Sequence, residues 1–140
     1  MLVCVDTNVM LNAFARNSPL VPLFDAIAAG RLPIAVSTSI LYEYEEIGQQ
    51  TGGTPFAARL MRMIALVAAV HRTVVFASPS YEFHTIPADA DDNKFANCAI
   101  VTHADYVITD DAHFAPLKNA GYKPQPITPL EFIRRHLSGV

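Results

Sequence analysis

Residues 2–6 read Leu2-Val3-Cys4-Val5-Asp6, an apolar run that ends on a carboxylate. Leu2 to Val5 is short and wholly apolar, which suits a parallel strand covered on both faces. Working outward, Pro33-Ile34-Ala35-Val36 reads as a second strand, Val74-Val75-Phe76 as a third and Tyr106-Val107-Ile108 as a fourth. Gln125-Pro126-Ile127 fits only an edge strand, because a proline has no N–H to give to a ladder. Helical stretches alternate with these strands. One is expected over 7–16. Another is expected over 19–29, with Pro19 in its first turn and Gly30 ending it. Ser37, Thr38 and Ser39 offer capping oxygens to a helix reaching about Gly48, and 51–53 reads as a loop. Phe56, Leu60, Met63, Ile64 and Val67 recur at helical spacing. Residues 78–90 form a polar, proline-containing connection. Residues 91–103 read as a helix with Phe95, Cys98, Ala99 and Thr102 on one face. A short helix follows the fourth strand, and a last one runs over 129–137. With no internal repeat and no linker, residues 1–140 are expected to form one domain. The alternation predicts a three-layer α/β/α fold around a four- to five-stranded parallel sheet.

Composition narrows the class. The 140 residues are 51% hydrophobic and 16% charged, with a mean hydropathy of +0.26. That excludes a disordered chain and allows one well-buried core. Apolar runs are too short to span a bilayer; the longest, residues 61–70, contains Arg62 and is followed by His71 and Arg72. No basic stretch precedes an apolar one at the start, so a secretory signal is not expected. Cys4 and Cys98 sit inside apolar runs at no metal or redox spacing, which reads as reduced core thiols of a cytoplasmic protein. The net charge of −3 and pI near 5.9 argue against holding nucleic acid by bulk positive charge. They leave room for an enzyme whose positive charge toward substrate is a bound metal. The acidic residues are uneven, with Asp89, Asp91, Asp92, Asp105, Asp110 and Asp111 crowded together.

Open α/β sheets bind ligands beyond the carboxyl ends of their strands. The first strand runs into Asp6 and the fourth into Thr109-Asp110-Asp111, so two strands deliver carboxylates to one edge. Capping of the following helices would account for either aspartate alone. In the helix after the second strand, Ile40, Leu41, Tyr44 and Ile47 make the buried stripe, with Glu43 at its rim and Glu46 pointing away. A carboxylate there needs a partner unless it reaches to solvent. Asp91 and Asp92 open the helix carrying Phe95 and Ala99. Favourable charge at a helix start explains one aspartate there, but poorly explains three among residues 89–92. Asp6, Glu43, Asp92 and Asp111 would together converge at one end of the sheet. Such a group repels itself unless a cation is present. All-oxygen donors, with no Cys or His at metal spacing, favour Mg²⁺ or Mn²⁺ over zinc. Such a site activates water and neutralises a phosphodiester. No nucleophile–histidine arrangement is signalled, and His113 reads as an exposed helix histidine or one facing substrate. Gly52-Gly53 neither follows a strand nor precedes a lysine, so it is no phosphate loop.

These residues resemble a known family. Val5-Asp6-Thr7-Asn8 resembles the opening of PIN domains, and Ser39-Ile40-Leu41-Tyr42-Glu43-Tyr44 their second acidic motif. Asp91-Asp92-Asn93-Lys94-Phe95, with Ala99 seven after Asp92, resembles the third. Val107-Ile108-Thr109-Asp110-Asp111, followed by His113-Phe114, resembles the fourth, where a Thr-x-Asp reading selects Asp111 over Asp110. The four motifs come in order over residues 1 to about 128. The resemblance implies a Rossmann-like PIN fold and an acidic site of Asp6, Glu43, Asp92 and Asp111 for Mg²⁺ or Mn²⁺. Thr109 and Asn8 would support that site. The chain is most similar to the bacterial toxin branch, related to VapC-type ribonucleases. That implies an endoribonuclease acting on RNA, a homodimer or higher homo-oligomer, and a cognate antitoxin. Two departures stand out. Asp110 adds charge where Gly, Asn or Arg is usual, and positive residues for RNA are sparse, with Lys94, Arg59, Arg62 and Arg72 the candidates. Two other classes compete. One is a catalytically silent PIN-fold module that binds RNA or protein. The other is a phosphoryl acceptor of receiver or haloacid-dehalogenase type with Asp6 as nucleophile; Asn8 stands where the dehalogenase version needs a second aspartate, and nothing marks the lysine a receiver site requires.

Overall fold

The computed structural model describes residues 1–77 and 93–138. The expectations for the connection 78–90 and for Asp89, Asp91 and Asp92 therefore lie outside the described residues. The chain runs β1 (Val3–Val5), α1 (Thr7–Phe14), α2 (Val21–Ala28), β2 (Ile34–Val36), α3 (Thr38–Gly52) and α4 (Thr54–Val70). It continues through β3 (Val74–Phe76), α5 (Asn93–Val101), β4 (Tyr106–Ile108), a 3₁₀ turn (Ala112–Phe114), α6 (Ala115–Ala120) and β5 (Gln125–Ile127). It closes with α7 (Pro129–Phe132), which passes into a π-helical turn (Ile133–Leu137). Among the described residues the sheet has five strands in the order β3-β2-β1-β4-β5, all parallel.

β1 is the centre of this sheet, and its three residues are all buried. That is why the run is apolar at every position rather than at alternate ones. Cys4 meets Cys98 of α5, and α5 packs on β1, β2 and β4. In register with Val3 across the β1–β4 ladder, Tyr106 packs its ring edge-on against Phe132 of α7, centroids 5.8 Å apart. Successive strand side chains point to opposite faces, so α5 and α7 cover opposite sides and the fold has three layers. β5 takes the edge its proline requires. No helix among the described residues is long and apolar enough to cross a membrane.

The start of α2 and the end of α3 differ from expectation. α2 begins at Val21, with Pro22 rather than Pro19 in its first turn. Ser18 takes the preceding amides instead, its hydroxyl accepting from Leu20 N–H at 3.0 Å and its carbonyl from Val21 N–H at 3.3 Å. α3 is capped by Ser37 as foreseen, but runs through Gly48 to Gly52. Gly48 is no stop signal: a Cβ there would lie 3.4 Å from the Cβ of Ala57 and 3.6 Å from Leu11 Cδ2. It is a buried position within α3, where an added Cβ would make ordinary contacts with α1 and α4. The break falls at Gly53, whose φ of +87° suits a residue without a Cβ.

Candidate functional site

The strand order places the chemistry. From β1 the chain adds β2 and β3 on one side, then returns to add β4 and β5 on the other. The carboxyl ends of β1 and β4 therefore flank the point where the order reverses, where open α/β sheets form their binding crevice. Asp6 and Thr109 sit one step beyond those ends. Val5 is paired with Ile108, and Asp6 N–H donates to Ile108 O at 3.0 Å. The Thr109 hydroxyl donates to Asp6 Oδ2 at 2.7 Å and accepts from Asp111 N–H at 2.9 Å. One side chain thus sets both aspartates. Asp6 Oδ1 accepts from Thr7 N–H at 2.8 Å, and Asp111 Oδ1 from His113 N–H at 2.9 Å. Both aspartates do cap the helical turns that follow, as the simpler reading held. The hydroxyl bridge between them is what capping does not require.

Glu43 arrives from α3. Its side chain is half-buried, with Thr7 Oγ1 donating to Oε2 and Lys94 Nζ of α5 lying 2.7 Å from Oε1. Lys94, expected to face RNA, is instead the partner that Glu43 needed. Thr7 joins the carboxylates, its amide on Asp6 and its hydroxyl on Glu43. Just behind, the buried Tyr44 hydroxyl donates to the carbonyl of Val5, fixing the backbone that presents Asp6.

The charges are felt. Burial raises the Asp6 carboxyl above its ordinary 3.8, hydrogen bonds from Thr109 and Thr7 pull it partly back, and the charges of Asp111 and Glu43 raise it again. Among the described residues no three acidic, His or Cys side chains close on a single point as a bound ion requires; Asp92 is outside that set. The donor chemistry nevertheless fits a hard divalent ion, being carboxylate oxygens in mutual repulsion. A cation, the Lys94 ammonium, already rests on one of them.

The other residues read from the sequence take different places. Asn8 and Asp110 are exposed; it is Thr7, not Asn8, that bonds the carboxylates. His113 is exposed and lies 3.3 Å through Nδ1 from Asp111 Oδ1. Asp105, one of the crowded acids, sits at the opposite end of β4, accepting from Leu2 N–H at 2.9 Å and pairing with Lys123 at 2.7 Å. Arg59 and Arg62 line a groove with Ala28, Leu66 and His71, beside the residues leading into the amino ends of β2 and β3. Of Arg59, Arg62 and Lys94, only Lys94 stands among the site carboxylates. Sequence reading missed Thr7 and the Tyr44 hydroxyl. Thr7 with Met10 and Leu11, all buried, makes an i, i+3, i+4 face that could have marked Thr7 as pointing inward.

Residues 2–113 match the family profile described as the PIN domain. The chain belongs to the PIN-domain family. Solved structures bear out the fold. The PIN domain of human SMG5 superposes with a TM-score of 0.56 at 11% identity, covering 96% of this chain and 98% of that one. VapBC2 from Rickettsia felis, solved bound to a DNA fragment from its promoter, gives a TM-score of 0.57 at 14% identity, covering 85% of this PIN domain and 95% of that chain. A domain of a functionally unknown protein from Methanocaldococcus jannaschii gives 0.58 at 17%, covering 91% and 89%. Comparison with curated protein sequences gave no match.

Proposed function

We propose that this PIN domain, as one unit spanning residues 1–140, is a divalent-metal-dependent endoribonuclease. Asp6, Glu43, Asp92 and Asp111 are its catalytic and metal-holding carboxylates, and Thr109 positions Asp6 and Asp111. The observation that carries the reading is the Thr109 hydroxyl joined to Asp6 Oδ2 and Asp111 N–H at the switch point of the sheet. Membership of a nuclease family supports it.

Mg²⁺ or Mn²⁺, when bound, would supply an activated water and neutralise the charge of the phosphodiester. The protein's part is positional. Thr109 and Thr7 hold the two oxygens of Asp6 by one hydrogen bond each, leaving each oxygen a second lone pair to face the crevice. Thr7 holds Glu43 in the same orientation step, and the Asp111 backbone is tied to Thr109. Fixed carboxylates need not reorganise as negative charge develops on the phosphoryl oxygens.

The finer role is that of a toxin in a toxin–antitoxin system, with a cognate antitoxin as partner and a homodimer or higher oligomer as the working form. The likeness to VapBC2 supports that role. The test is incubation with RNA and single-stranded DNA, with Mn²⁺ or Mg²⁺ and with EDTA. Products that need the metal and vanish in Asp6→Asn support the nuclease. RNA retention in EDTA without products under any metal supports the silent binding module and overturns it.

A further inference from the structure

Lys94 is placed where helix physics gives no reason for it. It lies in the first turn of α5, where a positive charge opposes the helix dipole. Its ammonium nevertheless reaches across to α3 and rests 2.7 Å from Glu43 Oε1, with both side chains 22% exposed. The other oxygen of Glu43 is held by Thr7, so the face of Glu43 not held by Thr7 is taken by a cation of the protein's own. An ammonium is a compact point charge on a flexible stem with three donors. It can fill a cation's place at a carboxylate and leave it without disturbing the backbone.

We propose that Lys94 is an exchangeable counter-ion. It occupies Glu43 while the site is empty of divalent cation, and on metal loading its ammonium leaves Glu43 and pairs with a phosphate of the RNA. This rests on the metal-dependent reading above and adds a residue that links loading to substrate capture. The step is an exchange of ion pairs, with no covalent change. Through it, a chain of net charge −3 turns a positive group from its own carboxylate toward RNA once metal is loaded.

The test uses the whole chain stripped of metal. Free Mn²⁺ is followed by electron paramagnetic resonance as it is added to wild type, to K94M and to K118M, which removes the same charge from an exposed position on α6. Displacement of Lys94 by the ion predicts that K94M binds Mn²⁺ about fivefold tighter than wild type, the scale of one partly exposed ion pair, while K118M matches wild type. A labelled single-stranded RNA, read by fluorescence anisotropy with Ca²⁺ and with EDTA, should gain affinity on metal addition in wild type and gain less in K94M. If wild type binds Mn²⁺ and K94M binds it equally or more weakly, Lys94 only braces Glu43 and the exchange is overturned. An equal gain in K118M makes the effect one of net charge and overturns it too. If wild type shows no saturable Mn²⁺ binding, the metal-dependent reading itself falls, and the exchange with it.

Discussion

The hydroxyl of Thr109 stands 2.7 Å from Asp6 Oδ2, so the residues following β4 and β1 are locked side by side although 103 positions separate them. The same oxygen receives the Asp111 amide, and Thr109 is only 4% exposed. Thr109→Val keeps the shape and removes both bonds. Leaving buried partners unpaired costs about 1–3 kcal/mol, to be read from urea unfolding. RNA cleavage should drop about 10–100-fold, as when an outer partner of a metal site is lost. Thr109→Ser restores the hydroxyl and should recover most of both.

Asp6→Asn separates function from stability. The carboxylate is raised above its ordinary pKa chiefly by burial, with Asp111 and Glu43 adding to it. Its charge is therefore a burden on the folded state. Removing it should abolish cleavage while metal-free stability stays the same or increases. Circular dichroism and thermal unfolding in EDTA, beside the cleavage assay, check both halves. A destabilised variant would show that Asp6 is held for the fold.

How much of this was legible in the sequence depends on distance along the chain. β1, β3 and β4 could be read because each is a short apolar run, and the ends of β1 and β4 pointed to Asp6 and to the pair Asp110 and Asp111, from which the resemblance to PIN domains selected Asp111. Glu43 could be placed at a buried rim by counting helical turns. Its partners could not, because Thr7 and Lys94 come from 36 and 51 residues away and only the packing of α1 and α5 against α3 brings them in. Proximity in sequence is not proximity in space. Asp105 is one residue before β4 and Asp110 two after it, yet Asp105 belongs to the far end of the sheet. Gly48 resembled a helix stop because a glycine buried within a helix and one that ends it look the same in a string of letters.

Tyr44 makes a separate prediction. Its side chain is fully buried, and its hydroxyl donates to the carbonyl of Val5, the residue before Asp6. Tyr44→Phe keeps the ring and loses that bond, at a cost of about 1–2 kcal/mol. Because the bond lies behind the site, activity should fall by more than the unfolded fraction explains. Comparing specific activity with the folded fraction at one temperature tests this.

Asp105 carries the pH dependence. Its carboxyl is lowered below its ordinary 3.8, first by the hydrogen bond from Lys123, then by that from Leu2 N–H. A carboxyl whose pKa is lower when folded means that the unfolded chain binds the extra proton, so its contribution grows as pH rises. That contribution is complete above the unfolded value and disappears as pH falls through the lowered one. Wild type should therefore be more stable than Asp105→Asn near pH 7, and the two should converge as the solution is acidified below about pH 4. Thermal midpoints of both proteins across that range give the comparison. A difference that stays constant on acidification would mean that Asp105 acts through shape or hydrogen bonding alone and not through its charge.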